Sequence, residues 1–296
     1  MSTSPATAGE RASTSPATAG EVARSADEGS LTSPATAGEV ARSAGEGSIT
    51  IVGSYVSPFV RKVLACLELK QLKYRIDPIA PFYGDDEYSR LSPLRRVPIL
   101  IDDRVTLCDS SVIAQYLEDR YPDHYPLYPA DVADRARARW LEEYADTRLA
   151  DVVVWGIFNK AVLDPGVWGR PRDLAAIERV MQDELPGVLD YLESQVPATG
   201  FLFDPARIGI ADIALAAPFR NLGFARQRVD AERWPRTAAY VDRVLAHDAF
   251  AGFRAFEERQ LRTPIAQQRV VLADMGAPLT ERSLGAEAPR RGPMTR

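Results

Sequence analysis

The sequence predicts an α/β domain over residues 49–128 followed by an all-α domain over residues 131–260, with a loosely organised segment on either side. Three observations carry this. Short apolar runs bounded by turn residues occur only before Pro129, and apolar residues at helical spacing dominate after it. Outside these spans the composition turns to Ser, Thr, Ala, Pro and Gly before residue 49, and to Pro, Arg and Gly after about residue 263. A length of 296 residues fits two domains, and a composition 46% hydrophobic and 26% charged is sufficient for sizeable cores.

Residues 1–48 contain the unit Thr3–Glu10 again at Thr14–Glu21 and at Thr32–Glu39. These units hold almost no large apolar residues, so they cannot bury enough surface to offset ordering entropy and are expected to be a disordered tail. Arg11, Arg24 and Arg42 stand there against six acidic residues, which is unlike an Arg-rich, acid-poor transit peptide.

Ile49-Thr-Ile-Val52 reads as a strand and Gly53–Ser57 as a turn. Ser57-Pro58 then opens a helix, with Ser as N-cap and Pro in the first turn, and Val60, Val63, Leu64 and Leu67 follow at helical spacing to about Lys70. Lys73–Ile76 is a second strand, followed by an irregular segment. Val97–Ile101 and Val105–Cys108 form a hairpin about Asp102-Asp-Arg104, and Asp109-Ser-Ser111 caps a helix that ends at Tyr121-Pro122. This is the element order of a thioredoxin-like domain. Beyond Pro129, helices are expected from Asp131 to Leu163 (ended by Asp164-Pro-Gly166), Pro171 to Val196 with a bend at Pro186, Ile208 to Leu222, Trp234 to His247, and Phe250 to Arg259. Residues 261–296 are expected to be a loosely ordered tail.

Four segments resemble the cytosolic glutathione S-transferase family, in order and at its spacings. Ser57-Pro-Phe-Val-Arg-Lys-Val63 resembles the first-helix motif of its serine-dependent, bacterial-type classes. Leu91-Ser-Pro-Leu-Arg-Arg-Val-Pro-Ile-Leu100 resembles its Asn-Pro-x-Gly-Lys-Val-Pro segment. Leu107–Leu117 resembles its acidic-Ser segment, and Gly209-Ile-Ala-Asp-Ile-Ala-Leu215 its Ser-Ile-Ala-Asp motif. Trp234-Pro235 before a helix matches a further family habit. The resemblance covers roughly residues 49–258 and implies the glutathione transferase fold, glutathione as co-substrate, a small hydrophobic electrophile as second substrate, and a homodimer.

A thiol near its usual pKa of about 8.5 is mostly protonated at neutral pH, while the thiolate is the nucleophile. A helix N-terminus supplies partial positive charge, and a hydroxyl there can donate to the sulfur. Ser57 stands where both effects meet and is the expected catalytic residue. Its plain alternative is a helix cap on the amides of Phe59 or Val60, and Ser54 and Tyr55 are rival hydroxyls in the same loop. The resemblance gives a glutathione-binding set of Phe59, Arg96, Val97, Pro98, Asp109 and Ser110. It implies a cis Val97–Pro98 bond whose Val97 backbone pairs with the glutathione cysteinyl unit. Asp109 and Ser110 are expected to face the γ-glutamyl ammonium and carboxylate, the alternative being an N-cap pair alone, and Arg96 to reach the glycyl carboxylate, the alternative being a solvated surface charge. Tyr144, Trp155 and Phe158 fall in the helix that walls the family's electrophile pocket.

Two residues depart from the pattern. Arg95 occupies a position usually held by Gly, so a positive-φ turn there is expected to be strained or rebuilt. Gly209 replaces a capping Ser or Thr, and Asp212 is expected to bond back to its N–H as a structural cap.

The net charge of −5 and pI near 5.3 disfavour nucleic acid or an anionic membrane as partner. No apolar run approaches the length of a spanning helix and no signal-peptide pattern is present, so cytoplasm is the expected location. Cys66 and Cys108 lack a Cys-Pro or Cys-x-x-Cys setting, which disfavours a glutathione-dependent reductase or peroxidase. His124 and His247 have no ligand cluster, so no metal is expected. A non-catalytic binding or regulatory protein on the same fold is the remaining alternative.

Overall fold

The computed structural model describes residues 49–293, so the predicted disordered tail over 1–48 lies outside the described residues. Four strands form one sheet in the order β2-β1-β3-β4. β1 (Ile49–Val52) and β2 (Tyr74–Asp77) are parallel, while β3 (Ile99–Ile101) runs antiparallel to β1 and to β4 (Thr106–Cys108). β1 and β3 are buried along their whole length, which is why they read as continuous apolar runs instead of alternating ones.

Helix α1 (Pro58–Leu69) follows β1, and α3 (Ser110–Arg120) follows β4 and packs against α1. The segment expected to be irregular contains a 3₁₀ turn, Pro81–Tyr83, and a short helix α2 (Asp86–Leu91) capped by Asp85, whose side chain accepts from the Tyr88 N–H. A helix of six residues between Gly84 and Pro93 is too short a window for helical periodicity to register. With α2 included, the domain is the thioredoxin-like unit that the element order predicts.

The second region is helical. α4 (Val132–Tyr144) continues in π geometry through Ala145–Leu149 and Asp151–Leu163, and closes with an α turn, Asp164–Trp168. The predicted stop at Asp164-Pro-Gly166 falls five residues later, at Gly169 with φ +64. Pro165 occupies the first turn of the new α segment. α5 (Leu174–Arg179) passes through one π turn, Val180–Glu184, into α6 (Leu185–Gln195), with Pro186 again in the first turn. α7 (Ile210–Phe224) is buried nearly all round, in contact with α1, α4 and α8 (Pro235–Leu245). α9 (Ala251–Arg262) completes this layer. No helix among the described residues is long and apolar enough to cross a membrane.

The expectation of a loosely ordered tail over 261–296 requires correction for 265–293. Ile265–Asp274 is a helix, α10, and the chain beyond it runs back along the first domain. The Ile76 N–H donates to the Pro278 carbonyl at 2.8 Å and the Thr280 N–H to the Ile76 carbonyl at 3.0 Å, extending the β2 edge. Further on, Arg290 N–H donates to the Phe82 carbonyl, and the Arg291 guanidinium lies 5.2 Å from the ring centre of Trp168, which itself meets Phe82 edge-on.

Candidate functional site

The candidate residues lie at the N-terminal end of α1, in the turn before β3 and at the N-terminal end of α3, and an apolar helix wall packs beside the α1 terminus. Ser57 has extended backbone (φ −71°, ψ 128°), the usual state of an N-cap, and its Oγ accepts from the Val60 N–H at 3.4 Å. That contact is long, and the residue is half-buried, so the hydroxyl proton is free to donate elsewhere.

The rival hydroxyls are engaged differently. Ser54 is buried; its Oγ donates to Gln260 Oε1 at 3.0 Å and accepts from the Val56 N–H at 3.2 Å. The Tyr55 ring is fully buried with its centre 5.3 Å from that of Phe256. Burial, reinforced by Glu68, pushes its phenol well above the usual range, and its hydroxyl has no hydrogen-bond partner among the described residues.

The Val97–Pro98 bond is cis, and Val97 is buried beside Gly53 at the start of the 53–57 loop. Gly53, with φ +150°, makes this approach feasible: a Cβ there would lie 2.5 Å from Val60 Cγ2 and 3.0 Å from Val97 Cβ. Arg95 keeps a positive φ of +51° at the position where glycine was expected. Its guanidinium donates to the carbonyls of Pro81 (3.1 Å) and Gly84 (2.9 Å) and to Ser89 Oγ, and sits 5.2 Å from the Tyr88 ring centre. The turn is thus retained and held by side-chain contacts, not rebuilt. The Arg96 side chain is exposed and makes no hydrogen bond or ion pair among the described residues.

Asp109 adopts φ +98° and is exposed; its Oδ1 accepts from the Ser111 and Val112 N–H groups at 3.0 and 3.3 Å. Ser110 is buried at the start of α3, its Oγ 3.5 Å from Asp146 Oδ2. Asp146 belongs to a polar network invisible in the local sequence pattern. Lys62, fully buried on α1, donates to Glu142 Oε1 and Ser111 Oγ at 3.0 Å each and also binds Asp146, while Glu142 accepts from the Tyr128 hydroxyl. Burial alone would lower the Lys62 pKa, but Asp146 and Glu142 outweigh it and hold the ammonium charged. On the other side of α1, Arg61 pairs with Glu257 and donates to Asn221 Oδ1 and the Ala217 carbonyl; Asn221 Nδ2 in turn donates to the Val56 carbonyl at 3.0 Å. The one sequence signal for these networks is a pair of charges, Arg61-Lys62, inside an otherwise apolar helix face.

The apolar wall is a small cluster of Ala150, Val154 and Phe158 against Val56, Phe59 and Phe224. Phe59 of the α1 terminus thus packs against the cluster that holds Phe158, whose ring centre lies 6.5 Å from that of Phe224. Tyr144 does not join this cluster; it stacks on Tyr191 at 4.5 Å and on Trp140 at 6.4 Å. Trp155 is half-buried and also outside the cluster.

Neither cysteine is placed for exchange chemistry. Cys66 is fully buried and burial pushes its thiol far up; Cys108 Sγ donates to the Leu91 carbonyl at 3.0 Å, and burial raises it too. His124 Nδ1 contacts the Lys70 carbonyl and His247 Nδ1 accepts from Ala249 N–H, so each ring has a structural role. No group of three metal-ligating side chains occurs among the described residues.

The candidate residues thus comprise a hydroxyl at a helix N-terminus, a backbone edge at a cis proline, a carboxylate–hydroxyl pair at a second helix N-terminus, and an apolar wall. That set suits a small peptide-like thiol beside an apolar second molecule. Residues 51–125 match the family described as "Glutathione S-transferase, N-terminal domain". The chain is 24% identical to a glutathione S-transferase of Triticum aestivum, over 70% of this chain and 90% of that protein. It is 27% identical to the uncharacterised GST-like protein YibF of Escherichia coli K12, over 68% and 96%. Among solved structures, a glutathione S-transferase from Rhodospirillum rubrum F11 superposes with a TM-score of 0.62 at 24% identity, covering 73% of this chain and 92% of that one.

Proposed function

We propose that the chain is a glutathione transferase, of the family that its residues 51–125 match, in which Ser57 activates the glutathione thiol. One observation carries the choice of residue. Of the three hydroxyls in the 54–57 loop, Ser54 is committed to Gln260 and Tyr55 is locked in the core, whereas Ser57 is half-open at the α1 N-terminus.

In this reading glutathione lies across the first domain. Its cysteinyl unit pairs with the Val97 backbone at the cis Pro98, and its γ-glutamyl ammonium and carboxylate meet Asp109 and Ser110. Arg96, with a free guanidinium, takes the glycyl carboxylate, and Phe59 closes the site beside the sulfur. The thiol proton leaves to solvent. Ser57 Oγ–H and the unpaired N–H groups at the helix start stabilise the resulting thiolate. The thiolate attacks an electrophilic carbon held against Phe158 and its cluster; the S–C bond forms as the bond to the leaving group breaks. Tyr144 and Trp155, outside that cluster, make at most a more distant wall. The working assembly in this reading is a cytoplasmic homodimer.

The test is a panel of electrophiles with glutathione, run on wild type and Ser57→Ala. The expected result is a loss of roughly a hundredfold in kcat/KM, the usual effect of removing one donor to a developing anion. A Ser57→Ala protein with full conjugating activity leaves Ser57 as a helix cap only. A wild type that binds glutathione without turning over any electrophile points to a non-catalytic binding protein, and turnover confined to disulfides or peroxides points to a reductase or peroxidase.

A further inference from the structure

Resting on the assignment of Ser57, we infer that Gln260 is a positioning residue for thiol activation: it holds the 54–57 turn so that Ser57, and not Ser54, presents its hydroxyl proton to the sulfur. Gln260 stands 203 residues beyond Ser57 in the sequence, on α9, and is 1% exposed.

Its amide is fully used, and both ends bear on the site. Oε1 accepts from Ser54 Oγ at 3.0 Å and from the Tyr55 N–H at 2.9 Å. Nε2 donates to the Pro78 carbonyl at 2.6 Å, in the segment after β2, and to Gln268 Oε1 at 3.0 Å on α10. Gln268 closes the brace by donating to the Gln260 and Thr263 carbonyls, both at 3.0 Å. A primary amide offers two acceptor positions and two donors, and here all four are occupied, which fixes the orientation of the group.

The turn receives little else. Ser57 N–H donates to the Ser54 carbonyl at 3.0 Å, so the position of Ser54 sets that of Ser57 directly. Asn221 holds the Val56 carbonyl from the far side. The Ser54 hydroxyl has one proton, and Gln260 takes it. Without that acceptor the turn loses the bond that sets where Ser57 sits. A displacement of the order of 1 Å at a catalytic hydroxyl is costly, because its effect depends on hydrogen-bond distance and angle.

The experiment titrates glutathione bound to the full-length protein by its ultraviolet thiolate absorbance, which needs no electrophile. Four proteins are compared: wild type, Ser57→Ala, Gln260→Met, and the double variant. Methionine keeps the length and fills the space but removes all four bonds. Gln260→Met is expected to raise the pKa of the bound thiol by about one unit, a tenfold loss of thiolate at pH values below it. In the Ser57→Ala background the same change is expected to add nothing, because two residues acting through one hydroxyl are not additive. A merely structural role would add its full effect in both backgrounds. Gln268→Met, which removes the brace on Gln260 alone, is expected to give a smaller shift in the same direction and replaces Gln260→Met should that variant fail to fold. Absence of a thiolate signal in wild type, or Ser57→Ala titrating as wild type does, overturns the assignment of Ser57. With that assignment standing, Gln260→Met titrating as wild type, or adding its whole shift onto Ser57→Ala, overturns the positioning role alone.

Discussion

Arg95 shows how one side chain can stabilise a backbone state that its own Cβ disfavours. A non-glycine residue in the left-handed region costs of order 1 kcal/mol, and Arg95 sits there at φ +51°. Against this stand charge-assisted bonds to the Pro81 and Gly84 carbonyls and to Ser89, together with stacking on Tyr88, while its Nε is left without a partner. A hydrogen bond to a charged group contributes about 1.5–3 kcal/mol, so the contacts outweigh the strain. Arg95→Gly, although it restores the residue the resembling families use, is therefore expected to destabilise the protein by about 1 kcal/mol net. Urea denaturation measures this as a lower midpoint at unchanged slope; a variant more stable than wild type would show that the guanidinium contacts contribute less than the turn costs. The departure was legible in the sequence, since Arg95 stands inside a motif with a fixed place for glycine. Its remedy was not, because the accepting carbonyls lie up to fourteen residues upstream in a segment with no periodic pattern.

At the scale of single elements, α7 tests how a helix can start without a capping side chain. Gly209 offers none, and Asp212 supplies the missing contacts: its Oδ2 accepts from the Gly209 N–H at 2.8 Å, and its Oδ1 from the Leu202 N–H and the Tyr240 hydroxyl at 2.9 and 2.6 Å. The first of these follows from the i, i+3 spacing and was expected from sequence. The other two tie the helix start to the 202 loop and to α8, and nothing in the local spacing announces them. Asp212 is 1% exposed, so Asp212→Ala leaves the buried Tyr240 hydroxyl and the half-buried Leu202 and Gly209 amides unpaired. At about 1–3 kcal/mol for the buried group and less for the amides that water can reach, the expected loss is about 2–3 kcal/mol. Asp212→Asn keeps one acceptor oxygen and the side-chain volume and is expected to fall between the two. Thermal or urea unfolding of the three proteins gives the order directly, and an alanine variant as stable as the asparagine one would mean that water reaches the site. The π stretches of the α4 helix illustrate the opposite limit. Apolar spacing predicted a helix there, but the shift from 3.6 to wider turns leaves no signature in a sequence whose buried residues run nearly continuously from Val152 to Ala161.

Across the whole molecule, what could be read early was local and what could not was long-range. Ser57-Pro58, Val97-Pro98 and Asp109-Ser110 each occupy adjacent positions, so the groups proposed to meet glutathione are written within about 55 residues. Gln260 and Asn221 reach the 54–57 loop, and Glu257 reaches Arg61 on α1, from more than 150 residues away, as ordinary polar residues of distant helices. The segment after α10 is the extreme case, because its Pro-, Arg- and Gly-rich composition resembles a free tail, yet its backbone pairs with strand β2. Asp77, 1% exposed at the end of that strand, accepts from Leu284 N–H at 2.7 Å, from Ser283 Oγ at 2.8 Å and from Arg269 at 3.2 Å. Burial pushes its carboxyl up, and these donors offset that cost. Ending the chain at Asp274 would strip two of the three donors from a buried carboxylate, remove the bonds to Ile76, and leave the β2 edge open to pairing with other chains. Orphaning buried groups on this scale costs about 2–4 kcal/mol, which for a chain of this size lowers the melting temperature by roughly 5–10 °C. Calorimetry of the truncated protein beside the full chain tests the stability, and light scattering against concentration tests the exposed edge. A melting temperature within a degree of the full chain, with no added association, would mean that the C-terminal segment lies on the sheet without stabilising it.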